Sequence, residues 1–302
     1  MKEIIHITSI SQAYKLLGLG NPKHPLVSIY QHQEMDTSSI PLNVGYALDL
    51  YHIIFKSGSS GSLQYGQNSY DFQDGSLVFT APGQVVTFNG SDKLEEAKGW
   101  SLLFHPDLIR KSELGRIIST YSFFSYHVHE ALHVSEEERE NILEIIHKIE
   151  KEYNQHIDIH SQNLIISNIQ LLLDYCTRYY DRQFYVRTNL NKDVISRFEQ
   201  LLCEYYDSEK PLMYGLATVA YCGRELNISP KYLSDMLKKE TGKTAQEQIH
   251  SFLIERAKTK LLGTSDSVSQ IAFSLGFEYP QHFTKIFKTK TGMSPVEFRK
   301  MN

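Results

Sequence analysis

"GFEYPQHFTKIFKTKTG" (276–292) repeats, 50 positions later, the pattern of "SPKYLSDMLKKETG" (229–242). Pro230, Leu233, Met236, Leu237, Lys238, Thr241 and Gly242 align with Pro280, Phe283, Ile286, Phe287, Lys288, Thr291 and Gly292. A proline in the first turn gives up no helical hydrogen bond, and a glycine just past the last turn accepts the left-handed cap conformation. The apolar positions at i, i+3 and i+4 fall on one face. Each copy therefore predicts a short, well-punctuated helix with one buried face and one free face.

The repeat extends upstream with a one-residue shift. Val219, Cys222, Gly223, Leu226 and Ile228 lie 49 residues before Val268, Ile271, Ala272, Leu275 and Phe277. Each copy thus reads as a helix with a small residue (Gly223 or Ala272), a short turn, and the capped helix. A small residue there lets two helices cross closely. This is the helix-turn-helix arrangement, in which the second helix enters the major groove and the first crosses the backbone. The competing reading is an αα-hairpin repeat that serves as a protein-interaction module without touching DNA. Two copies in register favour DNA. Between them, "TAQEQIHSFLIERAKTKLL" (244–262) predicts a helix roughly 28 Å long at about 1.5 Å per residue. A rigid helix of that length can hold two recognition helices one DNA turn apart, roughly 34 Å.

Three segments carry a family resemblance: "NISPKYLSDMLKKETGKTAQEQI" (227–249), "AKTKLL" (257–262) and "IAFSLGFEYPQHFTKIFKTKTGMSPVEFRK" (271–300). The last is similar to the pattern "IA…GF…FxxxFKxxxGxSPxxFR" of the AraC family of bacterial transcription regulators. The resemblance implies a seven-helix DNA-binding domain over 194–302, double-stranded promoter DNA as partner, and RNA polymerase as a second partner if the protein activates. Leu253 stands where the family often has arginine, and Leu237 where it usually has phenylalanine. Gly223 replaces the usual alanine, and glycine costs a helix up to ~1 kcal/mol against alanine, so the first copy is expected to be the softer. The alkyl-repair proteins that share this helix-turn-helix type need a zinc-holding cysteine cluster, which Cys176, Cys203 and Cys222 do not form.

Subtracting the apolar positions leaves the free faces as candidate DNA contacts. They are Ser229, Lys231, Tyr232, Ser234, Asp235, Lys238 and Lys239 in the first copy, and Tyr279, Gln281, His282, Thr284, Lys285 and Lys288 in the second. Serine, threonine and glutamine bond base edges, and lysine reaches guanine or phosphate. Lys231, Tyr232, Gln281 and His282 lie early in their helices, where base contacts are made. Late lysines also complement the helix dipole. Asp235 either accepts from cytosine or orients a neighbouring lysine.

The 302-residue chain has 41% hydrophobic and 22% charged residues, the balance of a globular protein of two or three domains. Its net charge of −4 is unevenly spread. Residues 191–302 hold 16 basic against 13 acidic residues, and the remainder 15 against 22. That asymmetry is expected if one end meets phosphate. The three separated cysteines form no disulfide framework or zinc ribbon and suit a reducing cytoplasm. No apolar run approaches the ~18 residues of a membrane span, and the start carries no signal-peptide core.

Upstream the pattern is mainly strands: "LVSIYQ" (26–31), "VGYALDLYHIIF" (44–55), "GSLQYG" (61–66), "GSLVFTAPGQVVTF" (75–88) and "GWSLLFH" (99–105). Turn material at 56–61, 72–75, 81–83 and 89–93 separates them. Helices are expected at 135–155 and 161–184, covering the strands, pairing with a second copy of the chain, or both. The reading is an α+β chain. A sensor or dimerisation domain (1–186) holds a cupin-like barrel or sandwich (about 20–110) and a helical pair. A polar linker (187–193) leads to an all-α domain (194–302). Many relatives of the resembled family place such a barrel ahead of the DNA-binding domain, with a pocket for a small effector. Tyr46, Tyr51, His52, Phe55, Phe79 and Trp100 are candidate pocket walls, and homodimerisation is expected. "HVHEALH" (127–133) is the one dense histidine cluster. It falls after the strands, so neither a metal centre nor an enzyme is expected, and no cofactor is implied.

Overall fold

The computed structural model describes residues 4–36, 38, 40–41, 44–57, 63–65, 68–70, 75–87, 98–127, 130–154, 160–186 and 188–301. They divide into two units, Met1–Gln183 and Phe184–Asn302. Most of the turn material expected at 56–61, 72–75 and 89–93 lies outside the described residues, as does His129 of the histidine cluster.

In the N-terminal unit the strands are β1 (Ile4–Ile7), β2 (Val27–Gln31), β3 (Gly45–Leu48), β4 (Tyr51–Ser57), β5 (Leu63–Tyr65), β6 (Asn68–Tyr70), β7 (Ser76–Thr80), β8 (Val85–Thr87), β9 (Lys98–Phe104) and β10 (Leu132–His133). Helices α1 (Ile10–Leu16), α2 (Pro106–Ile109), α3 (Glu113–Ile117), α4 (Glu136–Asn154) and α5 (Ser161–Val186) intervene or follow. Among the described residues no barrel closes. The strands form a five-stranded sheet in the order β10-β7-β4-β9-β2, a three-stranded sheet β1-β3-β8, and the hairpin β5-β6. The run read from sequence as one strand over 44–55 breaks at Asp49–Leu50 into β3 and β4, which enter different sheets.

Alternation along each strand sorts the five-stranded sheet into two faces. Ile29, Leu102, Ile53 and Phe79 form one row across it, and Ser28, Leu103, His52 and Thr80 form a row on the opposite face. The first face meets the helices. Phe79 packs against Phe123, Phe124 and Tyr180 of α5, and the Tyr153 hydroxyl of α4 donates to the Ile29 carbonyl. The second face shares a core with α1 and the three-stranded sheet, built from Ile7, Ile10, Tyr14, Tyr30, Tyr46 and Leu103. Helix α5 is tied to the β10 edge by side chains acting as backbone partners. Buried Gln183 accepts from the His133 N–H and donates to the Ala131 carbonyl, while Arg182 grips Glu138 and the His133 carbonyl.

The C-terminal unit contains α6 (Thr188–Asp207), α7 (Lys210–Tyr214), α8 (Val219–Leu226), α9 (Pro230–Thr241), α10 (Ala245–Gly263), α11 (Val268–Ser274), α12 (Pro280–Thr291) and α13 (Pro295–Met301). From Thr188 on, the stretch expected as a linker lies in α6. Helix α8 starts only at Val219, because Gly215 sits at φ 79° and Thr218 is the N-cap of α8. Caps set the other boundaries: Ser229 for α9, and Thr244–Glu247 and Ser267–Gln270 capping boxes for α10 and α11. In both repeats the amide after the turn returns to the crossing residue, Ile228 N–H to the Gly223 carbonyl at 2.8 Å and Phe277 N–H to the Ala272 carbonyl at 3.0 Å. A Cβ on Gly223 would lie 2.6 Å from the Ile228 carbonyl oxygen. Glycine here allows a close crossing, which offsets the softness inferred from its helix propensity.

The second repeat touches the end of α7, just ahead of the first repeat, directly through backbone. Gly276 has φ 88°, and a Cβ on it would lie 2.6 Å from the Gly215 carbonyl oxygen, whose position the Tyr205 hydroxyl fixes with a 2.9 Å hydrogen bond. Gly242, at φ 77°, faces open space. Gly242→Ala is expected to cost about 1 kcal/mol for backbone strain alone, and Gly276→Ala at least about 2 kcal/mol because steric overlap adds to it. Urea unfolding of the two variants measures the difference.

Candidate nucleic-acid interface

The first repeat buries its whole apolar line, and the second buries its own except for half-buried Ile286. Leu233 and Leu237 of α9 are fully buried, as are their counterparts Phe283 and Phe287 of α12. This leaves Lys231, Lys238, Lys239, Gln281, His282, Lys285 and Lys288 exposed on the two helices, with Tyr279 at the N-cap of α12. Tyr279 is 52% exposed and its ring stands 5.6 Å from that of His282.

Five candidates from the sequence have structural engagements. Ser229 is 1% exposed and spends its hydroxyl on the Tyr232 N–H, capping α9. Tyr232 is 3% exposed, with its ring 5.0 Å from that of Phe184. Both leave the free face: one is a cap, the other core. Half-buried Ser234 accepts from the Ala245 N–H and so joins α9 to the start of α10. The Thr284 hydroxyl donates to the Pro280 carbonyl one turn back. Asp235 lies 3.3 Å from the Lys231 ammonium, so it orients the lysine.

Helix α10 runs for 19 residues, about 28 Å at about 1.5 Å each, between the two candidate reading helices. Beside α12 opens a cleft of about 720 Å³, bordered by Tyr214–Leu216, His250 of α10, Gly276–Glu278, and His282, Lys285, Ile286, Thr289 and Lys290 of α12. Burial and the Lys290 charge lower the His250 pKa against the opposing pull of Glu247. His250 and Lys290 were not read as site residues. The signal was present in the repeat, since Lys290 stands where the first copy has Glu240.

The six residues expected to line an effector pocket do not converge. Tyr51, Phe55, Phe79 and Trp100 occupy the helix-covered face of the large sheet. There Phe55 stacks on Trp100 at 5.6 Å and Tyr51 on Phe104 at 4.9 Å. Tyr46 is core on the small sheet and donates its hydroxyl to the Pro41 carbonyl. His52 faces the other way, and its Nε2 and that of His32 each lie 3.0 Å from the Ser101 hydroxyl. Among the described residues no group of three or more His, Cys, Asp or Glu could hold a metal, and no helix is long and apolar enough to cross a membrane.

These helices, their caps and their spacing define a tandem helix-turn-helix domain. A family described as "Helix-turn-helix domain" matches residues 222–301. The chain is 31% identical over 110 residues to the bifunctional transcriptional activator/DNA repair enzyme AdaA of Bacillus subtilis, covering 35% of this chain and 49% of that protein. It is 38% identical over 72 residues to the HTH-type transcriptional activator RhaS of Escherichia fergusonii, covering 24% and 26%. Among solved structures, the C-terminal domain of AraT, a response regulator from Geobacillus stearothermophilus, is 27% identical, covering 36% of this chain and 85% of that one, with a TM-score of 0.32. Residues 222–301 match the AraC-type helix-turn-helix family. The chain spans no more than about half the length of the curated relatives it matches (49% for AdaA, 26% for RhaS).

Two outcomes follow. Tyr232→Ala, which empties a core site, is expected to lower stability by about 3 kcal/mol, and Gln281→Ala by less than about 0.5 kcal/mol; urea unfolding reads both. Burial holds the His32 pKa down at about 4 and the His52 pKa down at about 3, against an ordinary value of 6.5. Below about pH 6.5 the unfolded chain binds protons that the folded one refuses, so stability is expected to fall as pH drops toward about 4. Denaturant midpoints across that range should fall less in His52→Asn than in the parent.

Proposed function

We propose that the protein is a sequence-specific DNA-binding transcription regulator whose α9 and α12 read successive major grooves of promoter DNA. The observation that carries this is the pair of capped helices with exposed polar faces, repeated 50 residues apart and joined by the α10 strut. In this reading Lys231, Gln281 and His282 read bases, and Lys238, Lys239, Lys285 and Lys288 meet phosphate. Tyr279 flanks the second reading helix. The names of the relatives, a transcriptional activator among them, support the same reading.

In this reading the N-terminal unit is a cupin-like sensor that binds a small effector or mediates homodimerisation, and RNA polymerase is the further partner if the protein activates. Leu164 and Leu171 of α5 lie two turns apart and are 46% and 41% exposed, which suits a dimer seam. The protein acts as a regulator in the cytoplasm, without enzymatic activity of its own.

The test is fluorescence anisotropy of the full chain with DNA from upstream of its own gene and with scrambled DNA, across a salt series. Preference for the upstream DNA with affinity falling as salt rises supports the reading. Gln281→Ala is expected to narrow the preference by about 1–3 kcal/mol, and Lys238→Ala to weaken both complexes and reduce the salt slope by about 1. Binding to neither DNA at low salt, while the chain is folded, would move the assignment to a protein-interaction module.

A further inference from the structure

The two repeats differ at one face, and the difference has the shape of a site. In the first repeat Tyr232, Met236 and Glu240 form one line along α9, at i, i+4 and i+8. The chain covers that line itself. The Phe184 ring lies 5.0 Å from the Tyr232 ring, and the Asn191 amide donates to the Glu240 carboxylate at 2.7 Å and to the Phe184 carbonyl at 2.8 Å. Tyr232 and Met236 are left 3% and 1% exposed. Fifty residues on, the same line of α12 is His282, Ile286 and Lys290. There the line borders the 720 Å³ cleft, with His282 exposed and Ile286 only half-buried.

We propose that this cleft is a binding site for a small aromatic carboxylate. Three features argue for that class. The first repeat fills the equivalent face with an aromatic ring, so the space beside Ile286 and Phe277 suits one. Its volume lies in the range of about 300–1,000 Å³ typical of small-molecule sites. The charge is reversed from the first repeat: Lys290 replaces Glu240, which accepts from an amide, and Lys285 replaces Asp235. His250 and His282 add nitrogens to the same wall. Glu278 is the single carboxylate on the lining, and it is engaged by the neighbouring Tyr279 hydroxyl. A ring on Ile286 with its carboxylate toward Lys290 satisfies both the apolar wall and the cations. Because His282 and Lys285 are also proposed DNA contacts, an occupant would lie against the reading helix.

The test uses the full chain and phenylacetate as probe, followed by ligand-observed NMR, with benzyl alcohol (ring without charge) and acetate (charge without ring) as controls. Phenylacetate is expected to bind, and each control to bind about ten-fold more weakly or not at all. Lys290→Glu, which restores the charge of the first repeat, should weaken phenylacetate by about ten-fold. Thr289→Trp, whose side chain occupies the cleft, should abolish binding. Circular dichroism confirms that each variant folds, and two variants at different positions guard against the loss of one. Absence of phenylacetate binding at millimolar concentration would overturn the proposal. So would binding unchanged by both variants, or benzyl alcohol binding as well as phenylacetate. No DNA is present in the assay, so its failure leaves the DNA-binding reading untouched.

Discussion

The closeness with which two short helices cross sets the geometry of the C-terminal unit. At Gly223 and Ala272 the side chain is small enough for the turn to fold back, and the following amide bonds the carbonyl of the crossing residue itself. A larger residue would push α8 from α9, or α11 from α12. Once the crossing is fixed, the apolar line of the second helix has one place to go, and its polar face is left outward. The Gly215–Gly276 contact applies the same principle a second time, now between the end of α7 and the second repeat. With α10 it gives two points of attachment, and two points restrict the pivoting that one alone would allow.

Much of this was legible in the chain, because helix caps and apolar triplets are local signals. Pro230, Pro280, Gly242 and Gly292 mark the boundaries of α9 and α12 through backbone conformation alone, and the structure places those ends within a residue of the reading. Tyr232 could not be placed the same way. Its position on the helix is that of a reading residue, and it is core only because Phe184, nearly fifty residues upstream, folds onto it. Ser229 is a second case. The pattern puts it on the free face, yet it proves to be the cap of α9, and a cap hydroxyl already spent on a backbone amide is poorly placed to bond a base as well.

The strands of the N-terminal unit show a different limit. Period-two alternation tells which residues share a face, but not which face meets the helices and which meets the second sheet. Tyr51, Phe55, Phe79 and Trp100 share one face, yet His52 belongs with Ser101 and His32 on the other side. The break at Asp49–Leu50 was also hard to see, since apolar residues resume directly after Asp49. Aromatic content identifies a wall without saying which room it encloses.

The asymmetry between the repeats carries the most information about function. Had both second helices needed only to present a polar face to DNA, both could have been backed by the same packing. Instead the first is braced by Phe184 and Asn191, and Tyr232 is thereby committed to stability. In the second, the matching His282 is free to face outward and the backing is an open cleft with basic walls. Leaving Ile286 half-covered costs hydrophobic stabilisation that the first repeat retains at Met236. That loss is local, and the fully buried Phe283 and Phe287 on the adjoining face hold α12 in place without it. The second repeat therefore keeps its fold while exposing a surface that the first has closed, which makes it the half of the domain whose environment a bound molecule can change.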